Sequence, residues 1–439
     1  MHVFCALRFT MKHNMAQHPT CKNLTAQSIS GEEVSLLAVM STDVASADRV
    51  WQSFLLKRKG ILMKKSVLTA FSLMFYTLHA GAEVPSQAAM DKVIEPLMTQ
   101  WQVPGMAVAV SVNGKAQFYN YGVASKTSKQ PVTQRTLFEI GSLSKTFTAT
   151  LAQYAADEGK LSFTDPASRY LPALSGSAFD RVTLLQLATH TAGTPLFVPD
   201  DVTATPQLMA WYKAWQPPSP PGTTRVYSNL GIGLLGMITA HALNQPFSSA
   251  MENQMLPALG LHHSFITVPP VAMPDYAQGY NKEDKPVRVT PGPLDAESYG
   301  LKSSSGDLIR YLEINLGQHL TNGPWREAVQ KTHTGYVRAG EFTQALMWEF
   351  YPLPVDEATL LAGNDSARIM KGVAAQPVTN PQAPAAAWYN KTGSTNGFSS
   401  YAVFIPSRNI AVILLANKWY PNDARVKAAW DIVQGIDEK

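Results

Sequence analysis

Three short stretches hold residue types capable of nucleophilic chemistry: Ser142-Leu143-Ser144-Lys145, Tyr227-Ser228-Asn229 and Lys391-Thr392-Gly393-Ser394. In the first, a hydroxyl and an ammonium stand three residues apart where an apolar helical pattern begins. Positions three apart share a helix face, and a helix start offers unpaired N–H groups and the positive end of the dipole. Serine is a poor nucleophile until a neighbouring base takes its proton. Lys145 is spaced to hold the hydroxyl and tune that proton, although the same residues also fit a plain helix cap beside a solvated lysine. Tyr227 is a base only if its pKa is lowered, and two ammonium groups, Lys145 and Lys391, would lower it by favouring the phenolate. The plain alternatives are a core tyrosine with a satisfied hydroxyl and a solvated lysine at a strand end. Two backbone N–H groups would stabilise the developing oxyanion.

The elements around these stretches are predicted as follows. From Gly105, GMAVAVSV and KAQFYNYG flank Asn113-Gly114, a strong two-residue hairpin signal. Near the other end, Ala387 to Tyr389, Ser399 to Ile405 and Ile410 to Ala416 read as strands, followed by a helix from Arg425 to Ile436. The centre reads as helices: Lys145 to Gly159, Leu184 to His190, Gln207 to Trp215, Gly231 to Leu243 and Gly306 to Leu316. Strands at both ends and helices between suggest one antiparallel sheet closed by the two ends, with a helical insertion. A cleft between such parts is where ligand sites usually lie. The expected division is a sheet lobe at about 83–140 and 370–439 and a helical lobe at about 141–369.

Competing signatures are weak or missing. The chain has no G-x-S-x-G, H-E-x-x-H or G-x-x-x-x-G-K-[ST]. Gly231, Gly233 and Gly236 in GIGLLG match G-x-G-x-x-G literally, but a dinucleotide site needs a strand before the glycines, and RVYSNL precedes them. They read as a small-residue helix face for close packing. Of the histidines after residue 82 (His190, His241, His262, His263, His319 and His333), only two are adjacent, and neighbours point apart. No metal site and no cofactor are expected.

The N-terminal region is expected to be removed. MKKSVLTAFSLMFYTLHAGA, from Met63, has a positive start, a short apolar core and Ala80-Gly81-Ala82 before Glu83, the order of a secretory signal peptide. Residues 63–82 are read as that signal, and 1–62 as an upstream extension outside the protein as made. Residues 1–82 hold nine of the 36 Lys/Arg and four of the 32 Asp/Glu, which leaves 27 basic and 28 acidic residues, a net charge near −1. Nothing in that balance points to nucleic acid. Both cysteines, Cys5 and Cys21, also lie in the discarded part, so the mature chain has no disulfide or thiolate nucleophile. With 45% apolar and 15% charged residues the composition is globular. No run long enough to span a membrane occurs beyond the leader. An exported, cysteine-free monomer of a bacterial periplasm is expected.

S-x-x-K, a middle S-D-N and K-T-G together mark penicillin-recognising serine enzymes. Here they occur in that order, with tyrosine in the middle motif. From about Glu83 to its end the chain resembles class C (AmpC-type) serine β-lactamases, with the ACC-like branch nearest. PGMAVAVSVNGK, LFEIGSLSKTFTATL, VYSNLGIGLLG, LGLHHSFITVP, PGPLDAESYG, KTGSTNGF and LANKWYPNDARV carry the resemblance. It implies an α+β fold of the penicillin-recognising type: an antiparallel sheet flanked by helices, an all-helical lobe and the active site between them, in a single catalytic domain, residues 83–439. It implies Ser142 as acylated nucleophile, Lys145 as its partner and Tyr227 as the proposed base, with Lys145 the other candidate. Asn229 would hold the substrate's acylamino side chain. Lys391, Thr392 and Gly393 would line the side of the substrate carboxylate, with Asn422 and Arg425 near it. Tyr299 would form a cleft wall, and the N–H groups of Ser142 and Ser394 the oxyanion hole. Two positions depart from the family. Phe197 stands before Val198-Pro199-Asp200 where glutamine is common, in a loop one residue shorter, and Asn390 precedes the lysine where some relatives carry histidine. The resemblance implies hydrolysis of a small-molecule β-lactam. A D-alanyl-D-alanine carboxypeptidase or related esterase shares the motifs, and a non-catalytic β-lactam sensor is a remote alternative.

Overall fold

The computed structural model describes residues 82–437. The predicted extension and all of the predicted leader but Ala82 lie outside the described residues. The described residues form one compact unit.

Among the described residues fifteen strands follow in order: β1 (Gly105–Val112), β2 (Lys115–Gly122), β3 (Phe138–Glu139), β4 (Thr224–Arg225), β5 (Ser264–Phe265), β6 (Gly279–Tyr280), β7 (Pro286–Val287), β8 (Lys302–Ser303), β9 (Val337–Ala339), β10 (Phe342–Gln344), β11 (Glu349–Pro352), β12 (Val373–Pro377), β13 (Ala387–Ser394), β14 (Ser399–Ile405) and β15 (Ile410–Ala416). Ten of them form one sheet in the order β2-β1-β15-β14-β13-β11-β10-β9-β12-β4. The chain's two ends meet where Met106 pairs with Ala416 and Val112 with Ile410. The β1–β2 turn places Asn113 at φ 52° and Gly114 at φ 78°, the two positive values that a tight primed turn requires.

Strands β1, β14 and β15 are buried on both faces, and the period of two sorts their residues. Met106, Val108, Val110 and Val112 pack with helices α1 (Gln87–Trp101) and α11 (Asn422–Asp437). Ala107 and Ala109 face the opposite cluster, with Phe147 and Leu151 of α2 (Ser144–Asp157) and Leu308 and Leu312 of α7 (Ser305–Asn315). Further helices are α3 (Leu184–Ala188), α4 (Thr205–Ala214), α5 (Asn229–Ala242), α6 (Asp295–Ser298), α8 (Pro324–Lys331), α9 (Glu357–Gly363) and α10 (Ser366–Lys371). α2 presents Ala149, Ala152 and Ala155 to a separate helical core containing Leu230, Leu234 and Ile238 of α5. A helix enclosed in this way carries no solvated polar stripe: its polar residues Lys145, Thr146, Thr148, Thr150 and Gln153 are themselves buried.

One boundary differs from the sequence expectation. Strands β9 to β11, between residues 337 and 352, join the sheet, inside the span expected to be a helical lobe to about 369. These strands have three or four residues, too few for alternation to show.

Candidate active site

The first stretch does not act as a helix cap. Ser142 lies in a 3-10 turn, Gly141–Leu143, which leads into α2, and no side chain caps either element. Gly141 has φ 53°, and a Cβ there would fall 2.4 Å from the Ser394 backbone nitrogen. A Cβ on Gly393 would fall 2.1 Å from the Ile140 carbonyl oxygen. Two glycines thus let the Ser142 turn and the end of β13 touch backbone to backbone. Gly393, expected beside the substrate, serves this contact.

Lys145 is fully buried. Its ammonium donates to Ser142 Oγ at 3.0 Å and to the Ser298 carbonyl at 2.8 Å. Ser298 ends α6, and the GIGLLG stripe explains how α6 reaches this position. A Cβ on Gly233 would strike Leu294, and one on Gly236 would strike Glu297. The glycine face of α5 therefore admits α6, as expected of a packing surface, and α6 presents a carbonyl to Lys145.

Tyr227 is half-buried in the short link between β4 and α5. Lys391 Nζ donates to its hydroxyl at 3.2 Å and to Thr392 O at 2.9 Å. Burial alone would raise the phenol's pKa, but the Lys145 and Lys391 charges, with hydrogen bonds from Ser142 and Lys391, bring it down to about 8. Burial also lowers Lys145 to about 8, opposed by attraction to Tyr227 and aided by repulsion from Lys391. Strongly interacting groups of this kind titrate as a unit.

Two neighbours of Tyr227 carry no chemical signal in the sequence. The backbone oxygen of His190 accepts from Val226 N–H at 2.8 Å, and its Nδ1 accepts from Ser228 N–H at 3.2 Å. One residue therefore holds both flanks of Tyr227, with its ring 4.4 Å from the phenol ring. Burial, then the charges of Arg225, Lys145 and Lys391, keep His190 neutral by pushing its pKa well below the usual value. Arg225, paired with buried Glu349 at 2.5 Å, lies 5.5 Å from the Tyr227 ring centroid. The His190 contact with Ser228 spans 38 residues and the Arg225–Glu349 pair 124, so no local pattern reveals them.

The remaining expected residues divide. Asn229 begins α5 with a buried side-chain oxygen that has no partner, and its N–H donates to Leu196 O at 3.0 Å. Phe197, next along that loop, is 66% exposed. Thr392 and Tyr299 are half-buried, with Tyr299 directly after Ser298. The Asn422 amide donates to Asn364 O at 3.3 Å and Ser366 Oγ at 3.2 Å. Arg425 is fully buried and donates to Gly393 O and Ser394 Oγ. Burial lowers its pKa to about 10. Among the described residues no cluster of three or more His, Cys, Asp or Glu could hold a metal ion.

Known proteins are similar to this chain in sequence and fold. Residues 90–435 match the family model Beta-lactamase. A curated beta-lactamase of Providencia stuartii is 50% identical over 380 residues, 86% of this chain and 98% of the relative. One of Pseudomonas fluorescens is 51% identical over 351 residues, 80% of this chain and 98% of the relative. A crystal structure of a class C beta-lactamase in complex with cefoxitin superposes with a TM-score of 0.78 at 50% identity, covering 79% of this chain and 98% of its own. A beta-lactamase/D-alanine carboxypeptidase from Pseudomonas syringae also superposes with a TM-score of 0.78, at 47% identity over 79% of this chain and 98% of its own.

Proposed function

The chain belongs to the β-lactamase family, among its class C hydrolases, and from that premise we propose how its own residues open the lactam amide. Ser142 Oγ attacks the carbonyl carbon while its proton passes to the Lys145–Tyr227 pair. The N–H groups of Ser142 and Ser394 receive the oxyanion. The carbon–nitrogen bond then breaks, the nitrogen takes a proton from the same pair, and an ester on Ser142 remains. Water, deprotonated by that pair, hydrolyses the ester and restores the serine. The observation that carries this reading is the position of Ser142 Oγ 3.0 Å from one ammonium, with Tyr227 OH 3.2 Å from the other. The buried Asn229 side-chain oxygen has no partner within the protein, which supports a role for this residue in holding the substrate's acylamino side chain, and Thr392 and Asn422 would meet its carboxylate.

A second reading has support in the neighbours described as D-alanine carboxypeptidases, at 47% identity. Acylation is common to both activities, and the difference lies in the fate of the acyl-enzyme. Steady-state hydrolysis of a cephalosporin, run beside release of D-alanine from an acyl-D-Ala-D-Ala peptide, separates them. Faster cephalosporin turnover is expected; D-alanine release alone would reverse the order.

Phe197 makes the substrate preference specific. Its exposure opposes a core role. Where relatives' glutamine can donate to the substrate's side-chain amide, phenylalanine leaves that contact to Asn229 and favours apolar or aromatic acyl groups. One neutral hydrogen bond is worth about 1 kcal/mol. Phe197→Gln should therefore shift relative kcat/KM between an aromatic and a bulky polar cephalosporin by roughly tenfold at most, with almost no change in Tm. A sharp fall in Tm with an unchanged ratio would make the residue a packing element.

The mature enzyme is proposed to work as a monomer in the periplasm, exported by residues 63–82. The relatives are bacterial, and among the described residues no helix is long and apolar enough to cross a membrane. N-terminal sequencing of periplasmic protein should begin at Glu83. Active periplasmic protein retaining residues before Met63 would contradict this processing.

A further inference from the structure

We propose that Arg425 and Glu139 are positioning residues that clamp the Ser394 turn, Arg425 at Gly393 and Ser394 and Glu139 at Thr395, and so hold the second oxyanion donor, and that Arg425 does not meet the substrate carboxylate. This rests on the reading that Ser394 N–H receives the oxyanion. All three guanidinium nitrogens of Arg425 donate inside the protein. Nη1 reaches Gly393 O at 2.8 Å, Ser394 Oγ at 2.9 Å and Ser400 O at 3.5 Å. Nε reaches Tyr420 O at 3.1 Å, and Nη2 also donates to Tyr420 O. With no exposed surface, the side chain could reach a carboxylate only by giving up these bonds.

Glu139 holds the residue after Ser394. Its carboxylate is buried. Oε2 accepts from Thr395 Oγ1 at 2.6 Å, and Oε1 accepts from Tyr276 OH at 2.6 Å and Val289 N–H at 2.7 Å. Thr395 follows Ser394, and Glu139 precedes Ser142 by three residues. The two backbone segments of the oxyanion hole are therefore tied together by Glu139, by the Ser400 hydroxyl donating to Ile140 O at 2.8 Å, and by the glycine contacts at Gly141 and Gly393. Oxyanion donors act only within a few tenths of an ångström of their target, so a turn released at either end should lose rate before it loses binding.

The test uses Arg425→Lys, Glu139→Gln and Thr395→Val, each checked for folding by circular dichroism. For each, kcat and KM are measured on a cephalosporin and on its carboxylate methyl ester. A displacement of the donor predicts a fall in kcat of about 10- to 100-fold, by the same factor on acid and ester, with little change in KM. Asn422→Ala should instead weaken the acid more than the ester. A loss from Arg425→Lys confined to the acid would make Arg425 a carboxylate ligand and overturn the proposal. Unchanged kcat in the folded variants would also overturn it. If Arg425→Lys does not fold, Glu139→Gln and Thr395→Val carry the same comparison. An error in the nucleophile assignment shows separately, as turnover surviving Ser142→Ala.

Discussion

Ser142→Ala is expected to remove β-lactam turnover and every covalent adduct, with a loss on the order of 10⁴-fold or more. The serine hydroxyl is the group placed 3.0 Å from the buried Lys145 ammonium, in a half-exposed turn that substrate can reach. Without Oγ no ester can form, and the remaining electrostatics have no bonded intermediate to stabilise. The fold should survive, because Lys145 keeps its bond to Ser298 O. Intact-mass spectrometry after mixing with a cephalosporin, with Tm measured in parallel, decides the matter. A persistent acyl adduct on the folded variant would move the nucleophile elsewhere.

Tyr227→Phe is expected to slow acylation and deacylation together, by about 10²- to 10⁴-fold, the range for a general acid–base group. The same phenol is asked to move a proton in both steps. Its pH signature follows from its surroundings. Burial raises the pKa, and the two ammonium groups overcome burial and bring it to about 8. The phenolate is the basic form and is populated above that value. The kcat/KM of the wild type should therefore rise as pH climbs towards and through about 8, and this limb should vanish in Tyr227→Phe. Lys391→Gln removes one of the lowering charges and should move the limb to higher pH. Rapid-quench kinetics on Tyr227→Phe provide the discriminating result. If both chemical steps keep their rates and only binding weakens, the tyrosine is positional and Lys145 is the base.

The reactive groups were legible because each sits in an unbroken run of a few residues with a local structural requirement. A serine and a lysine three apart at a helix start, a tyrosine before a capped helix and a lysine followed by Thr-Gly at a strand end can all be read without knowing what they touch. The turn at Asn113-Gly114 and the long strands β1, β14 and β15 were legible for the same reason: turn chemistry and apolar runs act over short range. Strands β9 to β11 were not, because three or four residues carry too little pattern, and they become strands through pairing with β13 and with one another. The site shows the same limit. Nothing in the order of residues says that His190 holds both sides of Tyr227, that Ser298 turns its carbonyl to Lys145, or that the guanidinium of Arg425 is spent on Gly393, Ser394 and Tyr420. Residue order alone dictates which groups are available for chemistry and which short elements present them. Their distances, their burial and hence their proton affinities come from long-range packing. Those quantities depend on partners brought together from far along the chain, and a pKa is set by the desolvation and charges that such partners impose.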